Sequence, residues 1–135
     1  MKETIRKIYH HLLLNKAYIS DVGLYFGKTG CLLFFAHYCK CFKNVIHEEI
    51  VSETIDEIFS QLVNISSFSM RNGLCGIGWG IEYLLQNQLM EGNSDEILEE
   101  LDSKIFNKDI KFIESHPDFA DILHYVVIRL TSSRL

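Results

Sequence analysis

Proline is almost absent from this sequence: its 135 residues include one, Pro117, where an average composition would give about seven. Because proline is the residue that most strongly interrupts helices and strands, its scarcity predicts long regular elements. Continuous apolar runs, such as residues 31–36, are far shorter than the roughly 18 residues that a membrane-spanning helix needs. We therefore expect no transmembrane segment and no membrane partner.

An excess of positive charge is also lacking. The chain carries 13 Lys and Arg against 18 Asp and Glu, for a net charge of −5. Because no basic stripe is present, nucleic acid is not an expected partner. The first residues lack the apolar stretch and cleavage site of a secretion signal, which predicts a cytoplasmic protein with reduced thiols. With 47% apolar and 23% charged residues, the composition indicates a folded domain rather than a disordered chain.

The four cysteines contain no Cys-x-x-Cys pair, and we expect them to be small buried apolar residues. They are Cys31, Cys39, Cys41 and Cys75. His37, Cys39 and Cys41 bring three potential metal ligands close together in sequence. On a helix, however, Cys39 would point about 200° away from His37, and no fourth tetrahedral ligand is defined by spacing. A metal site is therefore the less favoured interpretation.

Apolar residues recur with helical spacing along nearly the whole chain. The pattern predicts an all-α fold of about six helices, with residues 1–135 forming a single helical domain. Helices at about 28–42 and 75–90 are apolar on most sides and should be buried, whereas the others are amphipathic. Ser94 is the expected N-cap of the fifth helix. Ser115 and Asp118 form a capping box for the last helix, with Pro117 in its first turn.

Glycine pairs open both apolar helices, and they are 46 residues apart: Gly27 with Gly30, and Gly73 with Gly76. A degenerate third copy begins near residue 118. Periods of about 40–50 residues are typical of repeated helical hairpins. Glycine in the first turn of a helix lets a neighbouring backbone approach closely. We therefore predict stacked hairpins with apolar inner helices, whose N-termini lie at one end, and amphipathic outer helices.

Two glycine-rich stretches carry a resemblance to a known family. Gly-Leu-Tyr-Phe-Gly-Lys-Thr-Gly at residues 23–30 and Asn-Gly-Leu-Cys-Gly-Ile-Gly-Trp-Gly at residues 72–80 resemble the N-terminal repeats of the lanthionine synthetase C-like (LanC-like) family. The looser pattern extends over residues 21–130. The resemblance implies an α/α toroid, a ring of helical hairpins of which this chain would hold less than half. It also implies a relation to peptide modification by thioether-forming cyclisation.

The resemblance does not extend to the zinc site of the family. That zinc is held by two cysteines and a histidine in Trp-Cys-x-Gly and Cys-His-Gly contexts, and neither context occurs in this sequence. Cys75 precedes Trp79 rather than following it. We therefore expect no cofactor in this chain and no catalysis by the chain alone.

An incomplete ring leaves inner helices without neighbours at its two ends. The expected partners are accordingly a second copy of the chain, in a homo-oligomer, or another polypeptide that completes the ring.

Trp79 and Tyr83 lie four residues apart on one inner helix, where they would either line a central cavity or pack as ordinary core aromatics. A peptide is the ligand expected in such a cavity.

Three functions remain open at this point. The first is a LanC-like role in peptide modification, and the second is a non-catalytic helical module that binds a peptide or protein partner. The third is a fragment of an α/α-ring hydrolase, with Glu82 and Asp121 as the nearest candidates for its carboxylate pair.

Two other candidate sites are weaker. Residues 23–29 approach a phosphate-binding P-loop, but the loop is one residue too short and no convincing strand precedes it, so Lys28 is interpreted as a surface residue at a helix start. Histidines without a Ser or Cys partner fixed by spacing are expected to be solvated. These are His10, His11, His116 and His124.

Overall fold

The computed structural model describes residues 1–132, and within them it contains eight α-helices, two short 3-10 turns and no strand. The all-α prediction is confirmed, although the helices are more numerous than the six expected. They are α1 (Lys2–Asn15), α2 (Lys28–Cys41), α3 (Val45–Ser60), α4 (Leu74–Gln86), α5 (Ser94–Ile97), α6 (Glu99–Phe106), α7 (Ile110–Ser115) and α8 (Phe119–Ser132). In the part of the chain so described, no helix combines the length and apolarity needed to cross a membrane.

Helix α4 lies at the centre of the molecule, where it packs against α2, α6 and α8. Nine of its 13 residues are buried, which agrees with a sequence that is apolar on nearly every side. The amphipathic helices α1 and α3 pack on α2, and α6 packs on α4. The helices thus form an inner row of α2, α4 and α8 that is flanked by outer helices, as the hairpin pattern predicts.

The 46-residue repeat in the sequence is also a repeat in the backbone. The amide of Lys28 donates to the carbonyl of Asp21 over 2.9 Å, and the amide of Leu74 donates to the carbonyl of Ser67 over the same distance. The two donors are 46 residues apart in the sequence, and so are the two acceptors. Each inner helix is therefore entered through the same turn.

The second glycine of each pair is required because a loop carbonyl lies against the helix. A Cβ placed on Gly30 would lie 2.4 Å from the carbonyl oxygen of Leu24, and one placed on Gly76 would lie 2.0 Å from that of Met70. Both distances are far below van der Waals contact, and the obstacle is backbone in each case. Leu24 and Met70 are again 46 residues apart.

The loop that opens each inner helix also covers the next inner helix. Leu24 has its Cβ 3.1 Å from a Cβ placed on Gly76, at the start of α4. One repeat later, Met70 donates its amide to the carboxylate of Asp121, at the start of α8, over 3.0 Å. Because α8 begins directly after Asp118, the N-termini of α2, α4 and α8 lie at the same end of the row.

The predicted caps of the later helices were wrong. Asn93, not Ser94, caps α5: its side-chain oxygen accepts a hydrogen bond from the amide of Glu96. Asparagine is as good an N-cap as serine, so the residue type alone does not show which of the two positions caps the helix. The helix that was expected to continue from there is interrupted at Leu98, which separates α5 from α6.

Ser115 does not open the last helix but ends α7, where its hydroxyl donates to the carbonyl of Lys111. Pro117 is the cause, because the residue before a proline is forced out of the helical region. His116 accordingly has an extended backbone, with φ −72° and ψ 141°. Pro117 therefore lies in the turn between α7 and α8 rather than in the first turn of a helix.

Candidate functional site

A groove of about 680 Å³ runs along the face of α8, next to α4. This volume falls within the range of small-ligand pockets. Most of the lining side chains are apolar, and the polar ones are confined to α8. The lining residues are Leu24, Tyr25, Met70, Trp79, Asp121, His124, Val127, Ile128 and Thr131.

Trp79 and Tyr83, for which the sequence left open a cavity lining or an ordinary core position, have different surroundings. Trp79 is half-buried and lines the groove. Tyr83 stacks behind it, with ring centroids 5.5 Å apart and an angle of 15° between the rings. The Tyr83 hydroxyl lies 2.8 Å from Nε2 of His37 on α2. Tyr83 therefore supports the tryptophan and joins two inner helices.

An aromatic pair and an arginine lie at the loop end of the groove. Tyr25 and Phe26 are 59% and 70% exposed. The guanidinium of Arg71 lies 5.8 Å from the ring centroid of Tyr25 and 5.7 Å from that of Phe26. The amide of Tyr25 donates to the carbonyl of Arg71 over 3.0 Å. The two loops are thus joined through both backbone and side chains.

Sequence reasoning did not identify Arg71, although a signal was present. Tyr25 and Arg71 are 46 residues apart, and so are His37 and Tyr83. In both cases equivalent positions of consecutive repeats contact each other. A search for chemically complementary residues at this separation would have found both pairs.

Behind the groove, an ionic network that ranges from the buried Glu82 to the exposed Asp95 joins α8 to α4, α5 and α6. Arg129 on α8 donates to Asp102 over 2.8 Å and to Asp95 over 2.7 Å. It also lies 3.8 Å from Oε1 of Glu82. Burial acts to lower the pKa of Arg129, but its hydrogen bonds to Asp102 and Asp95 outweigh burial and raise it. The guanidinium is therefore a permanent positive charge between these helices.

Glu82 and Asp121, the proposed hydrolytic pair, are both engaged in structural contacts. Glu82 is completely buried, and Gln86 donates to its Oε1 over 3.2 Å. Its Oε2 has no hydrogen-bond partner within the described residues. Asp121 accepts the Met70 amide at the groove wall. Glu82 thus connects α4 to Arg129 of α8, and Asp121 connects α8 to the loop that contains Met70.

The side chains that could bind a metal are dispersed. Within residues 1–132, no three His, Cys, Asp or Glu side chains are grouped so that they could hold a metal ion. Burial, with smaller contributions from the charges of Asp121 and Asp118, raises the pKa of the Cys75 thiol to about 12. Cys75 is therefore protonated at neutral pH and is a poor zinc ligand. Cys39 is half-buried and Cys41 exposed.

Comparison with known proteins identifies the family. The model of the lanthionine synthetase C-like proteins matches residues 18–124, well over half of the chain. The chain belongs to the LanC-like family. Searches of curated proteins and of solved structures give no significant match. The resemblance carried by the glycine-rich stretches is thus confirmed, and the matched LanC-like region includes the openings of α2, α4 and α8.

The zinc of LanC-like proteins does not fit the described residues of this chain. Their cysteines and histidines are dispersed, and Cys75 is a buried thiol next to two carboxylates. His37 is already engaged with Tyr83. We therefore derive no chemical step that passes through a metal.

Proposed function

We propose that this LanC-like chain serves peptide modification by binding a peptide in the groove along α8, and that it does not catalyse a reaction alone. The groove is the observation that carries this proposal. It offers an apolar volume of about 680 Å³ beside the half-buried Trp79, whereas the described residues supply no set of metal ligands.

The chemistry of the groove suits an extended peptide with apolar side chains. Leu24, Trp79 and Val127 provide apolar surface for such side chains. No hydrogen bond joins the Trp79 indole N–H to another residue of the described part of the chain, so this donor is available to a peptide carbonyl. Thr131 adds a hydroxyl at the far end of the groove.

Trp79 is the one tryptophan of the chain, so its fluorescence reports on the groove directly. We expect a saturable change in emission on titration with a pool of acetylated, amidated pentapeptides Gly-Zaa-Asn-Zaa-Gly, in which Zaa is Leu, Ile or Phe. Because the groove residues do not depend on a metal, the change should persist after dialysis against a chelator.

Two variants localise this signal. Val127→Asp places a charge on the groove wall and should abolish the change in emission. Val63→Asp, at an exposed position of the 3-10 turn after α3, is the matched control and should leave it intact. An emission spectrum that no peptide concentration alters would contradict peptide binding in the groove.

We also propose that the row of inner helices is completed by a second copy of the chain. The α8 edge, defined here as Leu123, Val126 and Leu130, is apolar, and its Leu123 and Leu130 are 47% and 64% exposed. It continues into an apolar groove of about 340 Å³ between α7 and α8. An exposed apolar surface of this kind is typical of an interaction site.

Helix α2, at the other end of the row from α8, supports a second copy of the chain as the partner of the α8 edge. The start of α4 at Gly76 contacts Leu24, which belongs to the loop of the preceding repeat. The start of α2 has no such neighbour, because among the described residues only Leu24, from the loop that leads into α2 itself, lies within 4 Å of a Cβ placed on Gly30. Within residues 1–132, no repeat precedes α2 and none follows α8. In a head-to-tail pair, each edge supplies the neighbour that the other lacks.

A further inference from the structure

Arg129, Lys28 and Arg71 differ in whether a carboxylate lies close to their charged groups. Arg129 contacts Asp95, Asp102 and Glu82, and Lys28 pairs with a carboxylate of α3. Arg71 has no carboxylate within 4 Å among residues 1–132, and it lies on a chain with a net charge of −5. Among the described residues, its guanidinium is therefore a cation without a carboxylate partner.

The position of Arg71 is nevertheless well defined. Its guanidinium packs against the rings of Tyr25 and Phe26, and its carbonyl accepts the Tyr25 amide. Packing against aromatic rings orients a guanidinium and leaves its N–H groups free at the edges. Because less side-chain freedom is then lost on binding, such an arginine is preorganised for a carboxylate.

This cation lies at the end of the peptide groove. Tyr25 both lines the groove and packs against Arg71, and Met70, the residue before Arg71, lines it as well. The one carboxylate among the lining residues, Asp121, already accepts the Met70 amide. The groove thus combines an apolar wall at Trp79 with a guanidinium at its loop end that no carboxylate of residues 1–132 pairs with.

We propose that the groove selects peptides in which an acidic side chain lies next to apolar ones. The carboxylate pairs with Arg71, while the neighbouring apolar side chains pack against Trp79 and Leu24. This selectivity rests on the proposed function, since it requires that the groove binds peptides. It adds a requirement for negative charge that apolar packing alone does not impose.

Three pentapeptide pools test this selectivity through the emission of Trp79. They have the form Gly-Zaa-Xaa-Zaa-Gly, with Zaa as above and Xaa as Asp, Asn or Lys. We expect the Asp pool to bind roughly five- to tenfold more tightly than the Asn pool, as suits a charge-assisted hydrogen bond at a partly exposed site. The Lys pool should bind most weakly. Raising the salt concentration should reduce the preference for the Asp pool.

Variants of Arg71 then assign the preference to its guanidinium. Arg71→Gln should bind the Asp and Asn pools equally, and Arg71→Glu should prefer the Lys pool. Lys108→Gln is the matched control, because Lys108 also lies over an aromatic ring, that of Phe112, but outside the groove. It should retain the preference of the unmodified chain.

The outcomes separate this inference from the function on which it rests. Equal affinity of the unmodified chain for the Asp and Asn pools would overturn the acidic selectivity and leave peptide binding in place. A preference for the Asp pool that survives Arg71→Gln would overturn the role of Arg71. If no pool alters the emission of Trp79, both the selectivity and the proposed function are wrong.

Discussion

Replacement of Gly76 by alanine should lower the free energy of unfolding by at least about 3 kcal/mol, the upper range for overpacking in a core. The added methyl group would lie 2.0 Å from the carbonyl oxygen of Met70 and 3.1 Å from the Cβ of Leu24. The first obstacle is backbone, so no side-chain rotation relieves the clash. The loop that covers the start of α8 would have to move away from α4.

Urea denaturation followed by circular dichroism measures this effect. Gly30→Ala should show a loss of similar size, because its methyl group would lie 2.4 Å from the equivalent carbonyl of Leu24. Ser52→Ala, at an exposed position of α3, is the control and should change the stability by less than about 0.5 kcal/mol. Gly76→Ala with unaltered stability would contradict the close approach of loop and helix.

Removal of the Arg129 guanidinium should have the second large effect. Arg129→Met leaves Glu82, whose exposure is 0%, without a cationic partner among the described residues. Loss of one member of a buried ion pair typically costs about 3–5 kcal/mol, because the remaining charge stays buried and uncompensated. Asp102, which accepts from both Arg129 and Tyr125, would lose a partner as well.

A double variant distinguishes the lost contact from the orphaned charge. Arg129→Met combined with Glu82→Leu leaves no unpaired carboxylate on α4, so it should be more stable than Arg129→Met alone. Arg71→Met removes an exposed guanidinium that contacts two aromatic rings but no carboxylate of the described chain. It should lower the stability by no more than about 1 kcal/mol, the size of an exposed cation–π contact. A cost below about 1 kcal/mol for Arg129→Met would refute a structural role for the network.

The helical repeat could be predicted from the sequence because its signal is a backbone requirement. Gly30 and Gly76 are glycines since a loop carbonyl occupies the space of a Cβ, and such a constraint is visible in one chain as a fixed spacing. Helix caps were harder to predict. Asn93 and Ser94 are comparable caps, and only the path of the chain decides which of them opens α5.

The surroundings of Trp79 and Tyr83 could not be predicted from the sequence alone. The spacing of Trp79 and Tyr83 placed them on one face of a helix, but their burial depends on how α8 packs against α4. The contact of Arg71 with Tyr25 depends on the rotation between consecutive repeats, which a 46-residue period does not specify. Side-chain contacts between repeats therefore had to come from the three-dimensional arrangement.

We propose that the described helices form an arc of a LanC-like ring and that a second copy of the chain completes it. The most direct test of this proposal is the molar mass in solution, measured by light scattering at tens of micromolar. The expected mass is twice the 15.7 kDa of one chain, with a return to the single-chain mass for Leu130→Glu at the α8 edge and no effect of Val63→Glu. A well-folded, unmodified chain that retains the mass of a monomer at these concentrations would contradict it.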